Sequence, residues 1–157
     1  MEDFQVPKDK ASVLVEIPPR PPVPRHVFLA PFAQGHRGAE APSDILNAAQ
    51  TFVPLFDDDG NTVLARRAAI TWIMVGDPRR TEWYYYELRA GAPETPVHIE
   101  FDTGSHLDGR VALLGPEGGR RVIDVVNRSS YFLHLERDEE LFLVNLRRVA
   151  SITIARA

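Results

Sequence analysis

Two acid–amide pairs, Asp44/Asn47 and Asp124/Asn127, stand 80 positions apart with the same Asp-x-x-Asn spacing. An Asp at such a place accepts backbone N–H groups of a turn, and an Asn caps the turn or enters the left-handed region. The same oxygens and amides could instead form two equivalent ligand pockets. Recurrence favours the turn, because both stretches would have to make the same bend. The five histidines are His26, His36, His98, His106 and His134. None has a histidine at the matching place in the other half, and none has the i, i+4 spacing that aims two ring nitrogens at one metal. His98 and His134 alternate with apolar neighbours and read as strand residues facing solvent or a hydrogen-bond partner. His36 and His106 fall in expected loops, where carboxylates such as Glu40 or Asp108 can approach them. No Ser lies in a Gly-x-Ser-x-Gly context and the chain has no Cys, so nucleophilic catalysis finds no support. Gly115-Pro-Glu-Gly-Gly-Arg-Arg121 lacks the Lys-Ser/Thr ending of a phosphate loop. Asp57-Asp-Asp59 lacks the further oxygen ligands that calcium needs and reads as a solvated hairpin tip. The expectation is a non-enzymatic protein without metal or cofactor.

Surface chemistry is more suggestive. Arg66-Arg67 and Arg147-Arg148 precede the last expected strand of each half, and Arg120-Arg121 lies between them in sequence. Together they could form a basic rim for an acidic protein or nucleic acid, although solvated strand ends explain them more simply. The net charge of −4 argues against general affinity for nucleic acid or anionic membrane. Glu82-Trp-Tyr-Tyr-Tyr-Glu-Leu88 reads as a strand, with Trp83 and Tyr85 on one face and Tyr84 and Tyr86 on the other. One face would dock over the seam between the halves, leaving the other as a partner-binding surface. The N-terminus lacks a signal peptide's basic start and apolar run, and no apolar stretch approaches the ~18 residues that span a bilayer. A cytoplasmic protein is expected. Its partner would be another protein or a second copy of itself, with nucleic acid a weaker option and no membrane.

The elements that must position these residues are written twice. Val13-Leu-Val-Glu-Ile17 lies over Val97-His-Ile-Glu-Phe101 at an offset of 84, and Val23–Leu29 lies over Leu107–Leu113 in the same register. Phe52-Val-Pro-Leu55 matches Phe132-Leu-His-Leu135 at 80, and Ile70-Thr-Trp-Ile73 matches Val149-Ala-Ser-Ile152 at 79. The offset changes only at turn residues, as loop indels in a duplicated unit require. Residues 1–10 form a flexible start, 11–76 a first β unit, 77–96 an aromatic linker and 97–157 a second β unit. Each unit has two strands, a short irregular or single-turn segment, and three more strands. The Pro18–Pro24 run is an extended connector, since its prolines cannot donate to a ladder. Asp57-Asp-Asp-Gly-Asn61 predicts a hairpin turn. Two units of roughly 60 residues would each be marginal alone and should share a core.

Gly104, Leu107, Gly109, Asp124, Asn127, Val144, Asn145 and Val149 give the second unit an outline that resembles an Sm-like, or more broadly SH3-like, small β-barrel. The same Asp-x-x-Asn, Phe-x-x-Leu pattern resembles uncharacterised bacterial proteins. The Sm-like resemblance implies a five-stranded barrel and single-stranded RNA binding by the Asp124/Asn127 loop with Arg120 and Arg121. Val144-Asn-Leu146 stands where that family carries an RNA-contacting Arg-Gly pair. The expected architecture is therefore mostly β, with little helix. It consists of two tandem five-stranded barrel-like repeats related by a pseudo-two-fold. The leading functional expectation is an adaptor or regulatory subunit, and the alternative is RNA binding.

Overall fold

The computed structural model describes residues 9–114, 121–129 and 131–155. Among these residues the fold is mostly β, with ten strands and four short helices. The elements are β1 (Asp9–Glu16), β2 (Val23–Leu29), α1 (Pro42–Asn47), β3 (Phe52–Phe56), β4 (Thr62–Arg66), β5 (Trp72–Val75), α2 (Pro78–Thr81), α3 (Trp83–Arg89), β6 (Glu94–Phe101), β7 (His106–Ala112), α4 (Val122–Arg128), β8 (Phe132–Arg137), β9 (Glu140–Asn145) and β10 (Val149–Ile154). A 3-10 turn precedes the last strand of each half, at Arg67–Ala69 and Leu146–Arg148. All ten strands form one antiparallel sheet in the order β10-β6-β7-β8-β9-β5-β1-β2-β3-β4. Each half therefore runs fifth strand, first, second, third, fourth.

The ladder is open, ending at β10 on one side and β4 on the other, so closed barrels are not what the strand pairing forms. Nor do the halves meet about a two-fold. A two-fold junction would pair like strands or repeat each unlike pairing in reverse, whereas among the described residues the only ladder across the junction joins β5 to β9.

That junction follows from residue types. Trp72-Ile-Met-Val75 and Leu141-Phe-Leu-Val144 are continuous apolar runs, the pattern of a strand covered on both faces. Ile73 and Val75 join Leu143 and Phe132 in a core beneath the first half. Trp72, with the partly buried Met74, points the other way, into a core of Val97, Ile99, Leu133, Leu135, Phe142 and Val144 beneath the second half. Each half thus donates side chains to the other's interior, as a shared core requires. Burying each such side chain is worth about 1.5–3 kcal/mol.

Three local expectations change. The second strand begins at Val23, earlier than expected, and includes Pro24, because β2 meets β3 at only one register pair, His26 with Phe56. The Asp-x-x-Asn segments wind into the short helices α1 and α4. The aromatic segment is a helix, α3, rather than a strand. The hairpin of residues 57–61 forms as expected, with Gly60 at φ 83° and Asp57 accepting the backbone N–H groups of Asp59 and Asn61.

Candidate functional site

The seam between the halves gathers much of the unusual chemistry. Asn47, at the end of α1, reaches across it: its Oδ1 accepts from the backbone N–H of Tyr131 at 3.1 Å and of Phe132 at 2.7 Å. From the other side Asn145, fully buried, donates its side-chain amide to the carbonyl of Ile70 at 2.8 Å, and its backbone N–H goes to Thr71 at 2.9 Å. Arg148 donates to the carbonyls of Ala68 and Ala69 while forking onto Asp102. The guanidiniums of Arg67 and Arg147 lie 3.9 and 4.3 Å from the centre of the Tyr131 ring. A cavity of roughly 330 Å³ opens here, lined by Gln50, Thr51, Arg66, Arg67, Tyr131 and Arg147. Three members of the expected basic rim meet at this cavity. Arg148 is turned to Asp102, Arg121 pairs with Asp124, and Arg120 lies outside the described residues.

The two Asp-x-x-Asn pairs have diverged in use. Asp44 accepts from the backbone N–H of Ala41 and sits 2.7 Å from His36 Nε2. Asp124 is instead held by Arg121, which keeps its carboxyl below the usual range. Asn127 is exposed and makes no side-chain hydrogen bond among the described residues.

A second constellation fastens the linker to both halves. The Glu82 carboxyl group is 1 % exposed. It accepts from the Ser43 backbone N–H and hydroxyl, both at 2.7 Å, and lies 2.8 Å from His134 Nε2. Ser43 belongs to α1 and His134 to β8, so this carboxyl group joins the two halves through α3. Tyr85 stacks flat on His134 at 4.0 Å and donates its hydroxyl to Glu136 at 2.6 Å. Arg89 donates to the same carboxylate. Burial, with Glu136 beside it, pushes the Tyr85 hydroxyl's pKa far above its ordinary value. The two-faced strand expected for this segment is thus replaced by a helix whose Tyr85 is inside. Trp83, Tyr84 and Tyr86 are half-buried. Tyr84 stacks on His36 at 4.2 Å, and Arg37 lies over Trp83. The polar sum of Glu82, Ser43, His134 and Glu136 could not be read from sequence, because its members are scattered over residues 43–136.

Two of the remaining three histidines pair with carboxylates: His26 with Asp58 and His98 with Asp108, each at 2.7 Å. His106 lies in β7 rather than a loop. No group of three metal-ligating side chains forms among the described residues.

The open strands form the third feature. Leu64 of β4 is 64 % exposed, Phe52 beside it on β3 is 43 % exposed, and Ile154 of β10 is 48 % exposed. β10, Val-Ala-Ser-Ile-Thr-Ile, carries no charge at all, and β4 carries only Arg66 at its end. Exposed edge strands are ordinarily blunted by charge, proline or bulges. Here the irregularity in β10 lies near its start, between Val149 and Ser151. No helix among the described residues is long and apolar enough to cross a membrane. Comparison of the chain with family models, with curated proteins and with solved structures returned no match.

Proposed function

We propose that the protein is a non-enzymatic interaction module, an adaptor or regulatory subunit, that binds another protein chain by adding strands to β4 and β10. The observation that carries this is the pairing of open ladder edges with exposed Leu64, Phe52 and Ile154 on nearly uncharged strands. Such edges offer unpaired backbone groups for affinity and side chains for specificity. The scaffold is read as two copies of one barrel-like five-stranded unit. Support comes from the recurring order of two strands, a helix, two strands, a 3-10 turn and a strand, and from the shared fifth-first-second-third-fourth sheet order. The Sm-like resemblance belongs to the same reading. The partner surface expected at Trp83, Tyr84, Tyr85 and Tyr86 is the weaker site, because Tyr85 is committed to Glu136 and His134.

The test compares baits. Arg67 N–H donates to the carbonyl of Thr51, and Asp57 N–H to that of Asn61. Alternation along the β3–β4 ladder then turns the N–H of Leu64 away from β3, toward the open edge. Leu64→Pro therefore removes an outward donor and spares the hairpin. Partner recovery should fall at least tenfold with this variant and stay near wild type with Trp83→Ala. Equal recovery with wild type and Leu64→Pro would contradict the proposal.

A second reading, single-stranded RNA binding, is favoured by one feature, the arginine-lined cavity around Tyr131. Guanidiniums there would meet phosphates of the RNA backbone. Filter binding should then weaken steeply with salt and be lost in Arg67→Ala; no retention at low ionic strength would exclude it.

A further inference from the structure

The internal junction shows what an occupied edge of this sheet looks like, and the open edges are the same two strand types without a neighbour. Pro54 faces Leu64 across the β3–β4 hairpin as His134 faces Leu143 across β8–β9, so Leu64 stands where Leu143 stands. Phe52 likewise stands where Phe132 does. At the junction Leu143 and Phe132 are fully buried, packed with Ile73 and Val75 of β5. On the other side, Val15 pairs with Ile73 as Ile99 pairs with Ile152, so β10 is the counterpart of β5. Ile152 and Ile154 therefore occupy the places of Ile73 and Val75. The open edges are complementary, because each is one side of a junction that the molecule already makes once.

A second, independent pair of groups repeats the pattern. Asn47 caps the backbone N–H groups of Tyr131 and Phe132 across the seam. Among the described residues, its exposed counterpart Asn127 has no side-chain hydrogen-bond partner, and the counterpart backbone N–H groups, those of Thr51 and Phe52, receive no side-chain cap. In one molecule α4 lies with the β10 half and β3 with the β4 half, so Asn127 cannot serve Phe52 of its own chain as Asn47 serves Phe132. A second molecule brings them together.

Resting on the reading that β4 and β10 are the binding elements, we propose that their partner is a second copy of this chain, joined head to tail. β10 of one copy pairs with β4 of the next, so that Ile152 faces Leu64, Ile154 faces Thr62, and Asn127 caps Thr51 and Phe52. Phe52 and Leu64 are thereby buried against Ile152 and Ile154. The contact is heterologous, so it propagates into a ring where the rotation closes and into a filament where it does not.

The experiment uses the full chain in size-exclusion chromatography with light scattering over a hundredfold range of concentration. Wild type should run as a multiple of the chain mass. Leu64→Pro blocks β4, and Ile152→Pro blocks β10 at an N–H that the correspondence with Ile73 turns outward. Each should be monomeric alone, and an equimolar mixture should form a dimer and nothing larger, because one intact β4 edge and one intact β10 edge remain. Circular dichroism checks that both variants are folded. Asn127→Ala, on an exposed residue, leaves the fold untouched and should weaken association about tenfold, the effect of one lost side-chain cap. A wild type that is monomeric throughout, or single variants that still dimerise with themselves, would overturn the proposal. If wild type is monomeric while Leu64→Pro still loses a different captured protein, the second copy falls and the edge-binding reading stands. If Leu64→Pro changes neither mass nor capture, both fall.

Discussion

Leu143 and Leu64 hold matching places on matching hairpins, yet one is wholly buried and the other largely in water. The same contrast separates Phe132 from Phe52 and Asn47 from Asn127. The side chains are alike; what differs is the presence of a neighbouring strand. The internal seam and the open edges are thus one kind of surface in two states. Occupied, it buries two apolar side chains and satisfies a polar cap, and unoccupied, it leaves them to solvent.

The sharpest way to break this comparison is to truncate both leucines. Leu143→Ala should cost about 2–5 kcal/mol, the usual range for a buried leucine, whereas Leu64→Ala in the dissociated chain should stay within about 0.5 kcal/mol. Urea denaturation at low protein concentration measures both, and equal losses would mean that the two places are not related as described. The clamp comes next. Glu82→Ala strips partners from the Ser43 backbone N–H and hydroxyl and from His134, and should cost about 1–3 kcal/mol by the same measurement. It should also loosen the hold between the halves, seen as faster amide exchange in β5 and β9 than in β1. The two amides follow: Asn47→Ala should cost about 1 kcal/mol and Asn127→Ala nearly nothing in the isolated chain. Similar values for both would remove the asymmetry on which the comparison rests.

The smallest effect is a pH dependence. Burial of His36 works against its protonation, but the Arg37 carbonyl and Asp44 outweigh it and raise its pKa above the ordinary value. A raised pKa in the folded state means that protonation favours folding. That contribution is complete below the unfolded value of about 6.5 and fades as pH rises through the higher folded value. The melting temperature should therefore drop slightly more between pH 6 and pH 8 in wild type than in His36→Gln.

How much of this was legible in the sequence depended on distance along the chain. The alternation in Val13–Ile17 and Val97–Phe101, and the hairpin at Asp57–Asn61, are local signals and gave strands where strands stand. The doubled pattern anticipated a shared core, and Trp72–Val75 and Leu141–Val144 supply it. The segment Glu82–Leu88 misled, because three tyrosines and a tryptophan have strand propensity, and tertiary contacts of Glu82 and Tyr85 overrode it. The short helices α1 and α4 were hidden for a similar reason: Val122-Ile-Asp-Val-Val126 is rich in β-branched residues, yet its Val122 and Val125 are buried as a helical turn places them. The seam cavity was half visible. Arg66, Arg67 and Arg147 stood out as basic pairs, but nothing local announced that Tyr131 would lie between them. A pseudo-two-fold was the natural guess for a doubled pattern, and only the pairing of β5 with β9 shows that the halves meet through unlike strands.

The claim that the seam and the edges are one surface is tested most directly by residue-resolved amide exchange at low and high protein concentration. The account predicts that the outward N–H groups of Leu64 and Ile152 exchange freely when the chain is dilute. They should become protected together on concentration, approaching the protection of Leu143 and Ile73. Exchange at Leu64 and Ile152 that stays fast while the particle mass grows would place the association elsewhere and contradict the account.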